Sequence, residues 1–517
     1  MDESSEPGVY FDASLRPVFD KMVQLAEFEL IGDKQIDCLC GMFGEWRNFS
    51  LCTNRPKNAA TVPFDPEMRL RWDIYKKMYL ATQTERFAER IRLLQDAQND
   101  VRRLSRQKAS LARLQMEKVV QRMGEVYLAW VRFEQGNIRT EQLCRQGIAL
   151  LEGSGTFQQQ EQQRLEILAF LYQELANYQY NKDQFDAALA SCQKGYEASY
   201  KMWQMTTDTF DLRRYADELL GNQLALLGNI QLMRGDFATA RTAYEEANNI
   251  LTLGLNAYFT AHIELLEGKE IEALLSYGSI FSTEQLGNVV YDLERLADRY
   301  PDKKDSILQF IPRLRTAWLA NHPRSNGVEA DYRYARLQTI REGNFKRYDR
   351  ALYWTNEVLR HVDQMIQSKN TAYNWSENWA DAVLNQTYYM LFNSLGDTSL
   401  YSKIIEVSLA AEKRALDEGG GALLYASAEY FKTNLAHAYL LRNQPGDQTR
   451  AIAAYLRFLE LDAAKTGSFW DVLQKDFRDL HDAGIKWPDL KTVIGQIKPA
   501  YVTLSEEEWR EMGVGVR

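Results

Sequence analysis

The stretch LLGNIQLMRGDFATARTAYEEANNI, residues 226–250, decides the fold. It sets a small residue, Gly228, in a first helical run, a turn at Gly235, Asp236 and Phe237, and then Ala240, Tyr244 and Ala247 along a second run. Two antiparallel helices approach closely only where small residues face each other, because larger side chains hold the two backbones apart. Aromatic residues at the flanking positions then fill the gap toward the next helix pair.

Weaker copies of the same spacing lie on both sides. Upstream, LANYQYNKDQFDAALASCQKGYEA (175–198) offers Leu175, Ala176, Phe185, Ala188 and Cys192; downstream, AHIELLEGKEIEALLSYGSI (261–280) offers Ala261, Gly268, Ala273 and Tyr277. Two further copies read as stretched by about three residues in the inter-helix turn. They are 334–359, with Gly343, Asn344 and Phe345 taken as the turn before Ala351, and 434–461, with Leu435, Ala436, Tyr439, Ala451 and Tyr455. In its small and aromatic positions this series resembles the tetratricopeptide-repeat (TPR) family over roughly residues 123–465. The resemblance implies an all-α, TPR-like α-solenoid of antiparallel helix pairs with helical caps at both ends.

On that reading the chain divides into an N-terminal helical cap and long loop (1–72), long amphipathic helices (73–122), a first TPR-like array (123–320), a second array (328–465) and a C-terminal helical cap (466–517). Helices without a recognisable motif cover 284–300 and 306–319, and the polar loop NHPRSNG (321–327) separates the arrays. Residues 15–28 read as a helix, and 48–66, with three prolines, as a long loop. At the far end two short helices are expected, with Gly484 stopping the first and Pro488 starting the second. A last helix follows, with Ser505 and Glu508 as a capping box.

Composition bounds the function. A net charge of −9 in 517 residues argues against a general nucleic-acid binder, which needs a cationic face. The exception is local: residues 85–122 carry ten basic against five acidic side chains. Ile91, Leu94, Val101, Leu104, Leu111 and Leu114 recur there at helical spacing, so one long amphipathic helix with a basic outer face is expected. Arg102, Arg103, Arg106 and Lys108 form its candidate basic patch, the basis of an alternative reading as an RNA-binding component of a ribonucleoprotein complex. No apolar run is long enough for a membrane span and the N-terminus is acidic, so a cytoplasmic protein is expected.

Catalytic and metal constellations are not found. The five cysteines (Cys38, Cys40, Cys52, Cys144, Cys192) are far in sequence from the five histidines, no strands are expected to present a nucleophile, and Cys38-Leu39-Cys40 lacks the spacing of a zinc knuckle. No phosphate-binding loop occurs; Gly419 to Gly421 and Gly153 to Gly155 read as linkers. The chain is therefore expected to be no enzyme and to need no cofactor or metal.

What the TPR resemblance implies instead is a protein-binding groove lined by the first helix of each pair. Its expected contacts are Gln173, Asn177 and Tyr180 in one unit, Asn222, Ala225 and Asn229 in the next, and His437 in the last array. Asn177 and Asn229 stand at equivalent places, where an amide either grips a peptide backbone or bridges neighbouring helices. His437 is either a partner contact or a satisfied surface histidine. Gln173 and Ala225 replace the basic residue that clamps a terminal carboxylate in chaperone-tail binders, so recognition of that type is not expected. Trp318, Trp354, Trp375 and Trp379 are expected to pack between helices. Finally, Trp470-x-x-Leu473-x-Lys475-Asp476-Phe477 with the following Ala-Gly-Ile turn resembles the C-terminal helices of bacterial TPR proteins found beside caspase-like (CHAT) peptidases. That resemblance implies such a peptidase as partner in a stress or defence pathway, with this chain as its adaptor, inhibitor, activator or substrate.

Overall fold

The computed structural model describes residues 10–12, 61–63, 66–106, 109–134, 138–155, 157, 160–206, 210–251, 259–280, 282–322, 327–368, 375–395, 397–417, 422–461 and 467–514. Expectations for 15–28, most of 48–66, Cys38, Cys40, Cys52, Lys108 and Gly419 to Gly421 lie outside them. Among the described residues the fold is all-α apart from one short antiparallel ribbon, β1 (Tyr10–Asp12) with β2 (Thr61–Pro63), which sets Phe11 opposite Val62. That ribbon corrects the expectation of a strand-free chain. Three residues per strand are too few for a period-2 pattern to stand out.

Two compact units form, residues 1–134 with 142–171, and residues 135–141 with 172–517. In the first, α1 (Pro66–Gln83) packs on α2 (Phe87–Leu104) and α2 on α3 (Ala109–Glu134). Most of α4 (Ile138–Gly153) and the first half of α5 (Glu161–Asn181) complete it. The single helix expected over 85–122 is in fact two. Ser105 ends α2 by turning its Oγ onto the Arg102 carbonyl at 2.7 Å, a local bond that competes with helix continuation.

The second unit is a succession of helix pairs, each packed on its neighbours as in a solenoid. After α5 come α6 (Phe185–Met205), α7 (Phe210–Arg234) with α8 (Phe237–Ile250), and α9 (Phe259–Leu266) with α10 (Glu270–Ser276). Next are α11 (Thr283–Arg299) with α12 (Lys304–Asn321), α13 (Gly327–Asn344) with α14 (Tyr348–Gln367), and α15 (Trp375–Ser394) with α16 (Thr398–Asp417). The last pair is α17 (Ala422–Arg442) with α18 (Asp447–Leu459), followed by α19 (Ser468–Asp482), α20 (Leu490–Ile497) and α21 (Glu506–Glu511).

The pair α7/α8 bears out the physical reading of 226–250. A Cβ on Gly228 would lie 2.3 Å from the Tyr244 ring, so only glycine admits that ring between the helices. Ala240, Tyr244 and Ala247 are fully buried. Gly235 turns the chain at φ +88°, the Asp236 N–H closes the turn on the Gln231 carbonyl at 3.0 Å, and the Asp236 carboxylate accepts from the Thr239 N–H at 3.1 Å. These bonds satisfy carbonyls at the end of α7 and an N–H at the start of α8.

The same turn recurs with other residues in the left-handed position: Asp183 (φ 57°), Gly268 (φ 80°) and Lys346 (φ 57°). Five residues beyond each stands a fully buried alanine, Ala188, Ala273 or Ala351, as Ala240 stands beyond Gly235. The α13/α14 turn is therefore of ordinary length, which corrects its expected stretching. Gly343 is not the turn residue; it is the last residue but one of α13, where a Cβ would meet the Tyr389 hydroxyl. In α17/α18 the expected extra residues are present, with both Asn443 and Gly446 left-handed.

At the C-terminal end Gly484 stops α19 at φ +89°, and α20 opens at Leu490, two residues later than Pro488. The Ser505 and Glu508 capping box is present in both directions. Trp470, Leu473 and Phe477 of α19 are fully buried with Val493, Ile494 and Met512 against Tyr455 and Phe458 of α18. Trp318 and Trp379 are buried, Trp318 donating its indole N–H to the Ile280 carbonyl at 2.9 Å, and Trp354 is partly buried.

Candidate interaction surfaces

The residues expected to line the groove are spread over several environments. Gln173 is half-buried on α5, its amide oxygen 3.4 Å from the Gln223 amide nitrogen, which donates to it. Asn177 is half-buried on the same helix and Asn222 is exposed on α7. Ala225 is buried. Asn229 accepts a hydrogen bond from the Tyr244 hydroxyl at 2.8 Å, so its amide serves the packing of the ring that Gly228 admits. Tyr180 lies beneath the Arg295 guanidinium, 4.3 Å from its ring centre, and meets Phe185 edge-on. Burial pushes its hydroxyl up to about 12, against the opposing pull of Arg295.

His437 corrects the expectation for it. It is fully buried, with Nδ1 2.7 Å from the Tyr455 hydroxyl and Nε2 3.4 Å from the Asp476 carboxylate. Phe477 and Trp487 flank the ring at 5.3 and 5.4 Å. It is no surface histidine, because Tyr455 of α18 and Asp476 and Phe477 of α19 enclose the ring and leave it no exposed face for a partner.

Two arginines of the basic patch are already engaged on their own helix. Arg102 donates to Asn99 at 3.0 Å and to Gln98 at 3.2 Å, and Arg103 to Asp100 at 3.2 Å; both arginines and Arg106 are exposed. Cys144 and Cys192 are buried, and burial pushes the Cys192 thiol up to about 12, far from a reactive thiolate.

Two surfaces were not singled out in the sequence. The first is an aromatic ladder on α6, where Tyr196 stacks on Tyr200 at 5.9 Å and Tyr200 on Trp203 at 5.8 Å. Arg213 covers the Trp203 ring at 3.8 Å, and the indole N–H donates to Asp217 at 2.7 Å. Tyr196 and Trp203 lean on the core, while Tyr200, Met205, Leu212 and Tyr215 remain exposed. The signal was legible: 196, 200 and 203 form an i, i+4, i+7 stripe beside the small-residue stripe of Ala188, Ser191, Gly195 and Ala198.

The second is a cleft of about 1140 Å³ built from the α5/α6 and α7/α8 turns together with α11 and α13. Four arginines line it, Arg234, Arg295, Arg299 and Arg341, with four aspartates, Asp183, Asp186, Asp236 and Asp298. Arg234 pairs with Asp186 at 2.9 Å, Arg295 with Asp183 at 3.5 Å and Arg341 with Asp298 at 3.7 Å. Arg299 is held differently, by the Met233 carbonyl at 2.6 Å and the Phe185 ring at 5.2 Å. Arg295 also donates to the Tyr180 carbonyl at 3.2 Å, so α11 ties down the ends of both α5 and α7. The sequence hid this cleft because its walls come from turns and helices that lie far apart in the chain.

No family model and no curated protein matches the chain. Among solved structures it is similar to a circular tandem repeat protein with novel repeat topology and enhanced subunit contact surfaces. Identity is 15% over 97% of this chain and 96% of that one, with a TM-score of 0.17. Class therefore rests on the helix pairs themselves: a helical-repeat protein, of a fold suited to protein-interaction scaffolds. Among the described residues no helix is long and apolar enough to cross a membrane.

Proposed function

We propose that this chain is a non-catalytic, TPR-like interaction protein that holds a protein partner as an adaptor, inhibitor or regulatory subunit, and that the aromatic ladder of α6 is a principal contact surface. The observation that carries the reading is the exposure of Tyr200, Met205, Leu212 and Tyr215 around a rigid Tyr-Tyr-Trp stack capped by Arg213. Tyr, Trp and Arg dominate binding hot spots, the two aromatics because they bury much area while losing little conformational freedom and Arg because its planar fork both stacks and donates. Asn177, Asn222 and Gln173 extend the surface along α5 and α7. The Trp470 to Phe477 resemblance makes a caspase-like peptidase of the cytoplasm the first partner to test, with this chain as its regulator or its substrate. The RNA-binding alternative is weakened by the engagement of Arg102 and Arg103 on their own helix.

The test is quantitative affinity capture from the native host with wild-type chain and with Tyr200→Ala, Leu212→Ala and Tyr215→Ala combined. Tyr200 also stacks on Tyr196 and Trp203, so the melting temperature should fall only modestly, while recovery of the specific partner falls by about tenfold or more. Full recovery with the triple variant would remove the ladder from the interface.

A further inference from the structure

The cleft between the α5/α6 and α7/α8 turns separates its charges by depth. Its deepest cations are Arg295, whose side chain is 5% exposed, and Arg341, at 15%, while Arg234 at 34% and the exposed Arg299 stand nearer the mouth. Its anions lie at the margin, with Asp298 57% and Asp186 90% exposed. Water screens the marginal carboxylates, whereas the guanidiniums below sit where charge is felt more strongly. Arg295 keeps its Nε without an acceptor, and Arg299 is held by a carbonyl and a ring rather than by a carboxylate. The cleft therefore has guanidinium donors, at Arg295 in its depth and at Arg299 near its mouth, that its own aspartates do not take up. The first turn of α6 and the N-terminal cap of α8 also line the cleft, and helix starts favour anions.

We propose that this cleft recognises a mixed-charge peptide segment of the partner, in which a Glu or Asp side chain flanked by Lys or Arg enters among Arg295, Arg299 and Arg341 while the flanking cations meet Asp186 and Asp298. The inference rests on the reading of the chain as a protein-binding scaffold. The marginal aspartates select the ligand class: they repel a polyanion such as nucleic acid and attract cations on either side of a single carboxylate. A volume of about 1140 Å³ exceeds what one side chain fills and suits an extended segment. Guanidinium groups fit a carboxylate two-pronged, which fixes the position of the entering side chain.

The experiment uses the full chain and three short synthetic peptides read by fluorescence anisotropy: a central Glu flanked by lysines, the same peptide with Gln for Glu, and an all-Glu peptide. The mixed peptide should bind tightest, with either replacement weakening it by about tenfold or more. Arg341→Gln should weaken the mixed peptide by a similar factor. Because that variant alters a partly buried side chain, Asp186→Lys with Asp298→Lys provides a second reading at exposed positions. It should invert the preference, so that the all-Glu peptide binds tighter than the mixed one. Equal binding of the Glu and Gln peptides, no binding of the mixed peptide, an uninverted preference, or full displacement by millimolar inorganic phosphate would each overturn the proposal. Failure of the peptides alongside partner loss in the Tyr200 triple variant would remove the cleft and leave the scaffold reading standing.

Discussion

One methyl group at residue 228 decides whether Tyr244 can be buried. Gly228→Ala should destabilise the second unit by ~2 kcal/mol or more, because the ring is already packed and must shift or leave. Asn229→Ala should cost ~1 kcal/mol by leaving the Tyr244 hydroxyl without its acceptor. Thermal melts check both, and unchanged melting for Asn229→Ala would return that amide to the list of free groove contacts. Asp292 provides a pH reading. Burial pushes its carboxyl up to about 7 against the pull of Arg295. The folded state thus binds its proton more tightly than the unfolded state, so the stabilisation is complete below the unfolded value near ~4 and lost as pH rises through 7. Asp292→Asn should remove that loss, leaving the variant ~1–3 kcal/mol better off than wild type at pH 8, relative to their difference at pH 4, in denaturant titrations. A difference independent of pH would place the Asp292 carboxyl in the ordinary range.

At the scale of elements, the helix pairs owe their register to the left-handed residue between them. Glycine adopts that conformation freely, whereas lysine at φ 57° crowds its Cβ against the backbone. Lys346→Gly should therefore stabilise the α13/α14 pair by up to ~1 kcal/mol, offset in part by the larger freedom of glycine in the unfolded chain. A clear loss in urea titration would mean that the Lys346 side chain makes a stabilising contact. The same residue hides the α13/α14 turn in the sequence. Glycine is the usual mark of such a turn and points to Gly343, which instead serves close packing against Tyr389 three residues earlier.

At the scale of the molecule, charge decides what the chain meets in solution. A net charge of −9 repels polyanions, and Arg103 of the basic segment is paired with Asp100 while Arg102 bonds to Gln98 and Asn99. No RNA or DNA should be retained at ~150 mM salt, where the Debye length is about 8 Å and a small patch is largely screened. Micromolar retention in a mobility assay, abolished by reversing Arg102, Arg103, Arg106 and Lys108, would instead support a nucleic-acid function.

By itself the sequence determined the class of fold. Small and aromatic residues at fixed spacing, as in Gly228, Ala240, Tyr244 and Ala247, constrain how two adjacent helices pack, and such contacts are local in the chain. The capping box at Ser505 was legible for the same reason. Tertiary structure alone decided the fate of His437, which looked available on its own helix until α19 covered it with Asp476 and Phe477. It also made the arginine cleft, since Asp183, Gly235, Arg295 and Arg341 belong to separate turns and helices. No local periodicity records such a meeting, because it depends on how successive pairs pack on one another rather than on any one pair.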